Sequence, residues 1–512
     1  MVGGVGARVR AEWLGAGLAV ALGVAYLLLP RMGSDLSAQV ARADFFAQHG
    51  YTPIDLRWYG GVDQLGYSLV SQPVMALLGV RVTGVVALVI SAVALAALLR
   101  RTGALRPLLG TVAGVVCIAG NLVSGRVTYA LGVAFGLLAL LALTAPRLRW
   151  LAGPAALLAS ATSPVAGLFL GLAGVALLLS RRIGPGLLVA VPAAVPLALT
   201  AGLFGDGGWM NIGRWDAIRA IVTSLAVALL VPRRPVRIGA ALSALGVLAA
   251  YLIHTPVGLN ATRLVTMFAL PVLAGYAALP RRELRGWALA LILVAVTWWQ
   301  PPVVVADVRD VGSPTADPAF FRPLRDQLAR LPLAGRVAIP PTRNYWEAAY
   351  LGDVPLARGW LRQADIDRNP LFFTTVPGAA GTGVPLTADS YRDWLIATSV
   401  QYVAVADAEP SWVGRAEAEL IRGGLPYLRP IWSDRHWRLY AVVDAQPIVA
   451  PPATLTGQDA ASLTFDAPAA GDVTVRIRYY RWLTATGGAV VEAAGRWTVV
   501  RVPGPGRYTV TS

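Results

Sequence analysis

The sequence predicts a polytopic α-helical membrane domain of about 11 transmembrane helices, followed by an extracytoplasmic α/β domain and a small C-terminal β-sandwich. Three observations carry this expectation. Of the 512 residues, 56% are apolar and only 14% are charged, with a mean hydropathy of +0.59, whereas soluble domains are about a quarter charged. Up to residue 300, apolar windows long enough to cross the hydrocarbon follow one another, about 30 Å needing roughly 17–25 residues. After Gln300 charge is dispersed along the chain, and Pro301-Pro302 punctuates the change.

The windows run approximately 12–30, 82–99, 105–123, 127–144, 149–162, 163–180, 184–204, 217–232, 238–253, 264–280 and 285–300. The fifth and sixth meet at Ser163-Pro164, so they also read as one broken helix with a cap. Orientation follows from arginine, which is retained on the cytoplasmic side of short loops. Arg8/Arg10, Arg100/Arg101/Arg106, Arg147/Arg149, Arg181/Arg182, Arg233/Arg234/Arg237 and Arg281/Arg282/Arg285 recur after every second window, against eight arginines in the alternate loops. Apart from Glu12 and Glu283, every acidic residue of this half falls in an alternate loop. A multi-pass plasma-membrane protein with a cytoplasmic N-terminus and an extracytoplasmic C-terminal region is the reading. Leu27-Leu28-Leu29-Pro30-Arg31 offers no small-residue cleavage site, so the first stretch stays as a helix.

Within the membrane domain 1–300, the first outer loop, 31–81, is by far the longest and gathers Asp35, Asp44, Asp55 and Asp63. Leu36 to His49 fits a short amphipathic helix with Leu36, Val40, Ala43 and Ala47 on one side. Residues 67–80 are apolar but too short to span, and read as a membrane-surface or re-entrant segment. Residues 301–445 form the α/β domain, with helices near 319–331, 389–397 and 414–423, strands at 336–340 and 401–406, and two strands around 428–443. Residues 446–512 turn to period-two strands such as the one opening at Asp472, with turns at Gly487-Gly488 and Gly504-Pro505-Gly506.

The net charge of +16 does not point to nucleic acid. All 44 basic residues are arginine, the mark of a GC-rich coding sequence, and residues 1–300 hold 23 of them against 8 acids while 301–512 hold 21 against 20. The excess therefore belongs to the membrane half. One cysteine, Cys117, and three histidines, His49, His254 and His436, give no disulfide framework and no zinc or haem spacing, so no metal ligands are assigned. The C-terminal region holds no nucleophile elbow and no phosphate-cradling glycine loop.

A carboxylate at the mouth of a membrane helix is costly unless it has water or a partner, which singles out Asp35, with Asp44 the second candidate. The plainer reading is a solvated loop acid. Asp35 is followed by Gly50-Tyr51-Thr52-Pro53 and by Trp58-Tyr59-Gly60-Gly61. Ser124-Gly125-Arg126-Val127-Thr128-Tyr129 and Thr162-Ser163-Pro164 lie at outer turns, and Ala357-Arg358-Gly359-Trp360 lies in the α/β domain. On these residues the chain resembles the GT-C superfamily of polytopic membrane glycosyltransferases. It is more closely similar to the actinobacterial-type proteins grouped under a "6-pyruvoyl-tetrahydropterin synthase-related" membrane domain. The first loop holds no Asp-Glu pair and no Asp-x-Asp.

That resemblance implies transfer of a sugar from a polyprenyl-phosphate donor, a membrane lipid, to an envelope glycan acceptor on the outer face. Asp35 would accept the proton of the acceptor hydroxyl. Positive charge for the departing lipid phosphate would come from Arg126, Arg263 or Arg214, each at an outer turn, the alternative being arginines that snorkel to headgroups. The polar turn from His254 through Asn260 to Arg263 either lines a donor pocket or only closes a hairpin. Trp58, Arg358 and Trp360 are candidates for substrate binding, with residues 358–365 as the stretch facing the membrane cavity, against the commoner reading of tryptophan as core. No cofactor is assigned, and a divalent ion bridging Asp35 and the lipid phosphate stays open without identified further ligands. A non-catalytic scaffold or a transporter with an outer binding domain is the other reading, although the windows are nearly free of charge and show no repeat.

Overall fold

The computed structural model describes residues 3–278, 286–379 and 383–512. Arg281, Arg282, Glu283 and Arg285 of the loop-charge pattern lie outside the described residues. The chain forms two compact units: Met1–Gln39, Gly66–Gly205 and Trp209–Val311 make a helical unit, and Val40–Leu65, Asp206–Gly208 and Gly312–Ser512 make a mixed one.

Among the described residues of the helical unit the apolar windows overlap helices, from Gly3–Leu28 through Gly286–Trp299. Five helical segments among the described residues are long and apolar enough to cross a membrane: Ala11–Leu28, Val80–Arg101, Ile183–Leu203, Arg234–Leu252 and Gly258–Tyr276. Pro107–Val123, Val127–Ala142, Pro164–Leu179 and Gly286–Trp299 are apolar but shorter. The core is built from small and branched residues, among them Ala19, Ala87, Ala92, Leu95, Val115, Ile118, Ala130 and Leu273. Small side chains let helix backbones approach closely where lipid gives no hydrophobic drive. Other large apolar residues stand outside, with Val191 54%, Leu229 75% and Leu252 69% exposed. Such a surface suits hydrocarbon and would aggregate in water.

Local chemistry explains the breaks between helices. Ala152–Thr162 ends where Ser163 turns extended, and its side chain accepts the Ala166 N–H at 3.3 Å while Pro164 opens the next helix, Pro164–Leu179. The apolar segment at 67–80 yields only the short helix Ser71–Leu78, with Leu77 and Leu78 exposed at its end.

Leu36–His49 is a helix with the expected bounds, but its burial differs from the amphipathic expectation. Ser37, Gln39 and Arg42 are buried, and Ala47 is exposed. The polar side chains go inside because each finds a partner: Gln39 donates to the Tyr67 hydroxyl at 2.8 Å and accepts from Thr128 at 2.6 Å, and Arg42 donates to Gln64 at 2.7 Å. A satisfied hydrogen bond outweighs the pattern of apolar spacing.

The mixed unit contains a four-stranded sheet in the order Arg336–Ala338, Val400–Ala406, Trp437–Val442, Leu428–Ser433. Its first pair is parallel and the other two are antiparallel. Helices Pro318–Leu328, Ala388–Ala397 and Arg415–Arg422 accompany it. Towards the C-terminus, antiparallel sheets of four and three strands share a core of Phe465, Val475, Val500 and Tyr508. Ile54 and Leu56 from the first long loop belong to that same core. The Ile54 N–H donates to the Ser512 hydroxyl at 3.1 Å, and Trp58 bridges to Leu356. Residues 40–65 of the first long loop thus fold with the C-terminal region, and the helical unit runs on to Val311.

Candidate functional site

Asp35 sits immediately before helix Leu36–His49, and its carboxylate meets two arginines from distant parts of the helical unit. Arg263 Nη2 lies 3.3 Å from Oδ2 and Arg126 Nε 3.5 Å from the same oxygen. Arg126 precedes helix Val127–Ala142, and Arg263 opens Arg263–Tyr276. The side chains retain 12%, 22% and 18% exposure for Asp35, Arg126 and Arg263, so the cluster is sheltered without being sealed.

Two glycines bring it together. Gly33 has φ +105°, and a Cβ there would lie 2.4 Å from the Ser124 carbonyl carbon. Gly125 has φ +73°, and its Cβ would lie 2.5 Å from the Leu36 nitrogen. Each position combines a backbone conformation that favours glycine with a gap too small for any side chain. The Asp35 N–H then donates to the Ser124 carbonyl at 3.0 Å, which joins the loop of Asp35 to the turn of Arg126.

Around the cluster, Arg263 stacks over the Tyr129 ring at 5.5 Å, and Gln39, Tyr67, Thr128 and Ser71 form a chain of side-chain hydrogen bonds. A second carboxylate joins from the end of the unit: Asp307 accepts the Ser34 N–H at 3.1 Å and is 2% exposed. Burial pushes the Asp307 carboxyl above the usual range, with the charge of Arg126 pulling it down and Asp35 pushing it up. Sequence reasoning missed Asp307 because it follows the last apolar window, where it looked like one of many acids of a soluble domain. The available signal was its place in the short helix Val305–Arg309, directly after the last apolar stretch.

The remaining candidates are placed differently. The 207–216 loop and the polar turn are tied by the Met210 N–H to the Thr255 carbonyl at 3.0 Å and by the Leu259 N–H to the Asn211 carbonyl at 3.2 Å. Asn260 is buried in the turn ahead of Arg263, His254 is exposed with its ring stacked 4.0 Å from Trp209, and Arg214 is exposed. Asp44, Trp58, Arg358 and Trp360 belong to the mixed unit. Asp44 is exposed and Trp360 half-buried.

Trp58 and Arg358, expected among the substrate-binding residues, are both interior. Trp58 has no exposure and packs against Gly359, which has no room for a Cβ beside the indole. The Arg358 guanidinium is consumed by carboxylates, at 2.8 Å from Asp365 and 2.7 Å from Glu417, and lies 3.9 Å from the Phe372 ring centroid. Tyr391 donates to Glu417 and Asn369 to Asp365. Burial pushes the Glu417 carboxyl up to about 7 despite Arg358, and burial does the same to Glu347, which Thr342 holds. No group of three or more His, Cys, Asp or Glu among the described residues is placed to hold a metal ion.

No family model matches the chain, and no curated protein matches it. Among solved structures it is similar to the arabinofuranosyltransferase AftD from Mycobacteria at 17% identity and TM-score 0.46, covering 90% of this chain and 41% of that one. A point variant of AftD gives 15% identity and TM-score 0.47, covering 98% of this chain and 60% of that one. The chain thus spans 41% and 60% of the two AftD chains. ArnT from Cupriavidus metallidurans in the apo state gives 13% identity and TM-score 0.45, covering 85% of this chain and 98% of that one.

Proposed function

We propose that this chain is an integral membrane glycosyltransferase of the GT-C kind, moving a sugar from a polyprenyl-phosphate donor to an envelope glycan on the outer face of the plasma membrane. The observation that carries the reading is the Asp35 carboxylate between Arg126 and Arg263, partly exposed, on the loop after the first apolar helix. In-line displacement breaks the bond from the anomeric carbon to the phosphate oxygen and forms one to the acceptor oxygen. The acceptor proton passes to Asp35. The lipid phosphate leaves with two negative charges, and the two guanidiniums receive it through paired hydrogen bonds. In the absence of donor these arginines rest on Asp35. An arriving phosphate draws them away and leaves the carboxylate to the acceptor.

The test uses membranes from cells in which the native chain is replaced by Asp35→Asn, with labelled polyprenyl-phosphate sugar as donor and glycan linkage analysis as readout. Loss of transfer with unchanged protein abundance is expected. An Asp35→Asn protein that transfers sugar at the native rate overturns the role of Asp35. If the native protein itself never turns over such donors while its deletion releases an envelope component, the scaffold reading takes its place.

A further inference from the structure

The mixed unit contains a second arginine cluster, outside the site described above and buried more deeply. Arg336, Arg368 and Arg478 line one small pocket together with Tyr59, Thr398 and Trp497, wide enough for a single water-sized particle. Arg336 is 2% exposed. Its Nη1 donates to the Thr398 carbonyl at 2.8 Å and its Nη2 to the Arg476 carbonyl, while its Nε is buried without a partner. The Nε of Arg478 is likewise buried and unpartnered.

Charge balance marks the pocket as unusual. Arg368 has a carboxylate, Asp206, at 3.3 Å. Among the described residues neither Arg336 nor Arg478 forms a salt bridge, and the guanidinium of Arg476 beside them donates to the Pro447 carbonyl, at 2.6 Å. Burial and the charges of Arg478 and Arg476 push the Arg336 guanidinium down to about 9. Both Arg336 and Arg478 stack on Trp497, at 5.5 and 5.2 Å from the ring centroid. A cation–π contact offsets part of a buried charge, but a buried cation is normally paired with an anion.

We infer that this pocket binds one small inorganic anion, which balances the guanidinium charges of Arg336 and Arg478 that no carboxylate meets. A tetrahedral oxyanion is too large for this space, and a monatomic anion comes nearest to its size. The Arg478 N–H also donates to the Gly60 carbonyl at 2.7 Å, and Arg368 Nη1 to the Gly61 carbonyl at 2.7 Å. The anion offsets the charge of guanidiniums packed beside the Trp58-Tyr59-Gly60-Gly61 turn, Arg336 lying directly against Gly60.

The full chain in detergent, exchanged into gluconate buffer of fixed ionic strength, tests this with labelled chloride in equilibrium dialysis. One saturable site per chain is expected. The unfolding midpoint should rise by about 2–4 °C on replacing gluconate by chloride, since a ligand of the native state stabilises it by mass action. Arg478→Gln, at a half-buried position that tolerates a neutral amide, should weaken chloride binding about tenfold or more while the chain still folds. Absence of saturable chloride binding by the native protein overturns the site, as does native-strength binding by folded Arg478→Gln. Sulfate competing as well as chloride overturns the assignment to a monatomic anion.

Discussion

The Arg358 and Asp35 centres use the same two functional groups in opposite proportion. At Arg358 one guanidinium faces two carboxylates, all within 2% exposure, and Tyr391 and Asn369 occupy the remaining lone pairs. At Asp35 one carboxylate faces two guanidiniums that keep 18% and 22% exposure, with hydrogen-bonding capacity left over. A buried centre whose carboxylate oxygens all have donors already has little to offer a ligand. An accessible centre with an extra positive charge has more. Stoichiometry and exposure, more than residue type, separate the Arg358 centre from the one at Asp35 proposed to bind a ligand.

The comparison breaks most visibly if Asp35→Asn is harmless. Loss of a general base typically costs 10²–10⁴-fold, so transfer should fall by about that factor, with thermal stability near native in a melting curve. At Arg358 the loss should be of the other kind. Arg358→Met strips two buried carboxylates of their partner and should destabilise the mixed unit by about 3–5 kcal/mol, read as a shifted denaturation midpoint of the full chain. If Arg358→Met leaves stability alone and abolishes transfer, the two centres have been assigned the wrong way round.

A smaller effect tests the frame that holds Asp35. Gly125→Ala places a methyl against Leu36 in a left-handed backbone, a strain of about 1–3 kcal/mol. It should lower transfer with no loss of any charged group, and Gly125→Ala with native activity would show that the interlock is dispensable. The smallest effect is a pH slope. Glu417 in the folded protein holds its proton up to about 7, whereas in the unfolded chain it releases it near 4.5. Its contribution to stability is therefore complete below about 4.5 and is lost as pH rises through about 7. Tryptophan-monitored melting between pH 5 and 8 should show a decline in the native protein that Glu417→Gln flattens.

Much of the helical unit was legible because a membrane-crossing helix is written locally, as a run of apolar residues. Helix Leu36–His49 and the strands at 336 and 400 were legible for the same reason: their periodicity is confined to a few turns or residues. The destination of residues 40–65 was not. The contacts that decide it, Ile54 with Ser512 and Trp58 with Leu356, span hundreds of residues and leave no local trace. Asp35, Arg126 and Arg263 each stood out at a turn between apolar windows, but their convergence depends on how helices pack. The burial of Arg42 and Arg358 ran against composition, since a sequence shows the cost of burying a charge and not the partner that offsets it.

Gly33 and Gly125 touch no substrate in this picture, yet neither has an alternative residue. A saturation mutagenesis scored by survival would rank them beside Asp35, Arg126 and Arg263, and a reader of that map would count five reactive positions. Only three would carry chemistry. In this loop the intolerance of the backbone and the intolerance of the reaction are superimposed, and a genetic screen separates them only if abundance and turnover are scored apart.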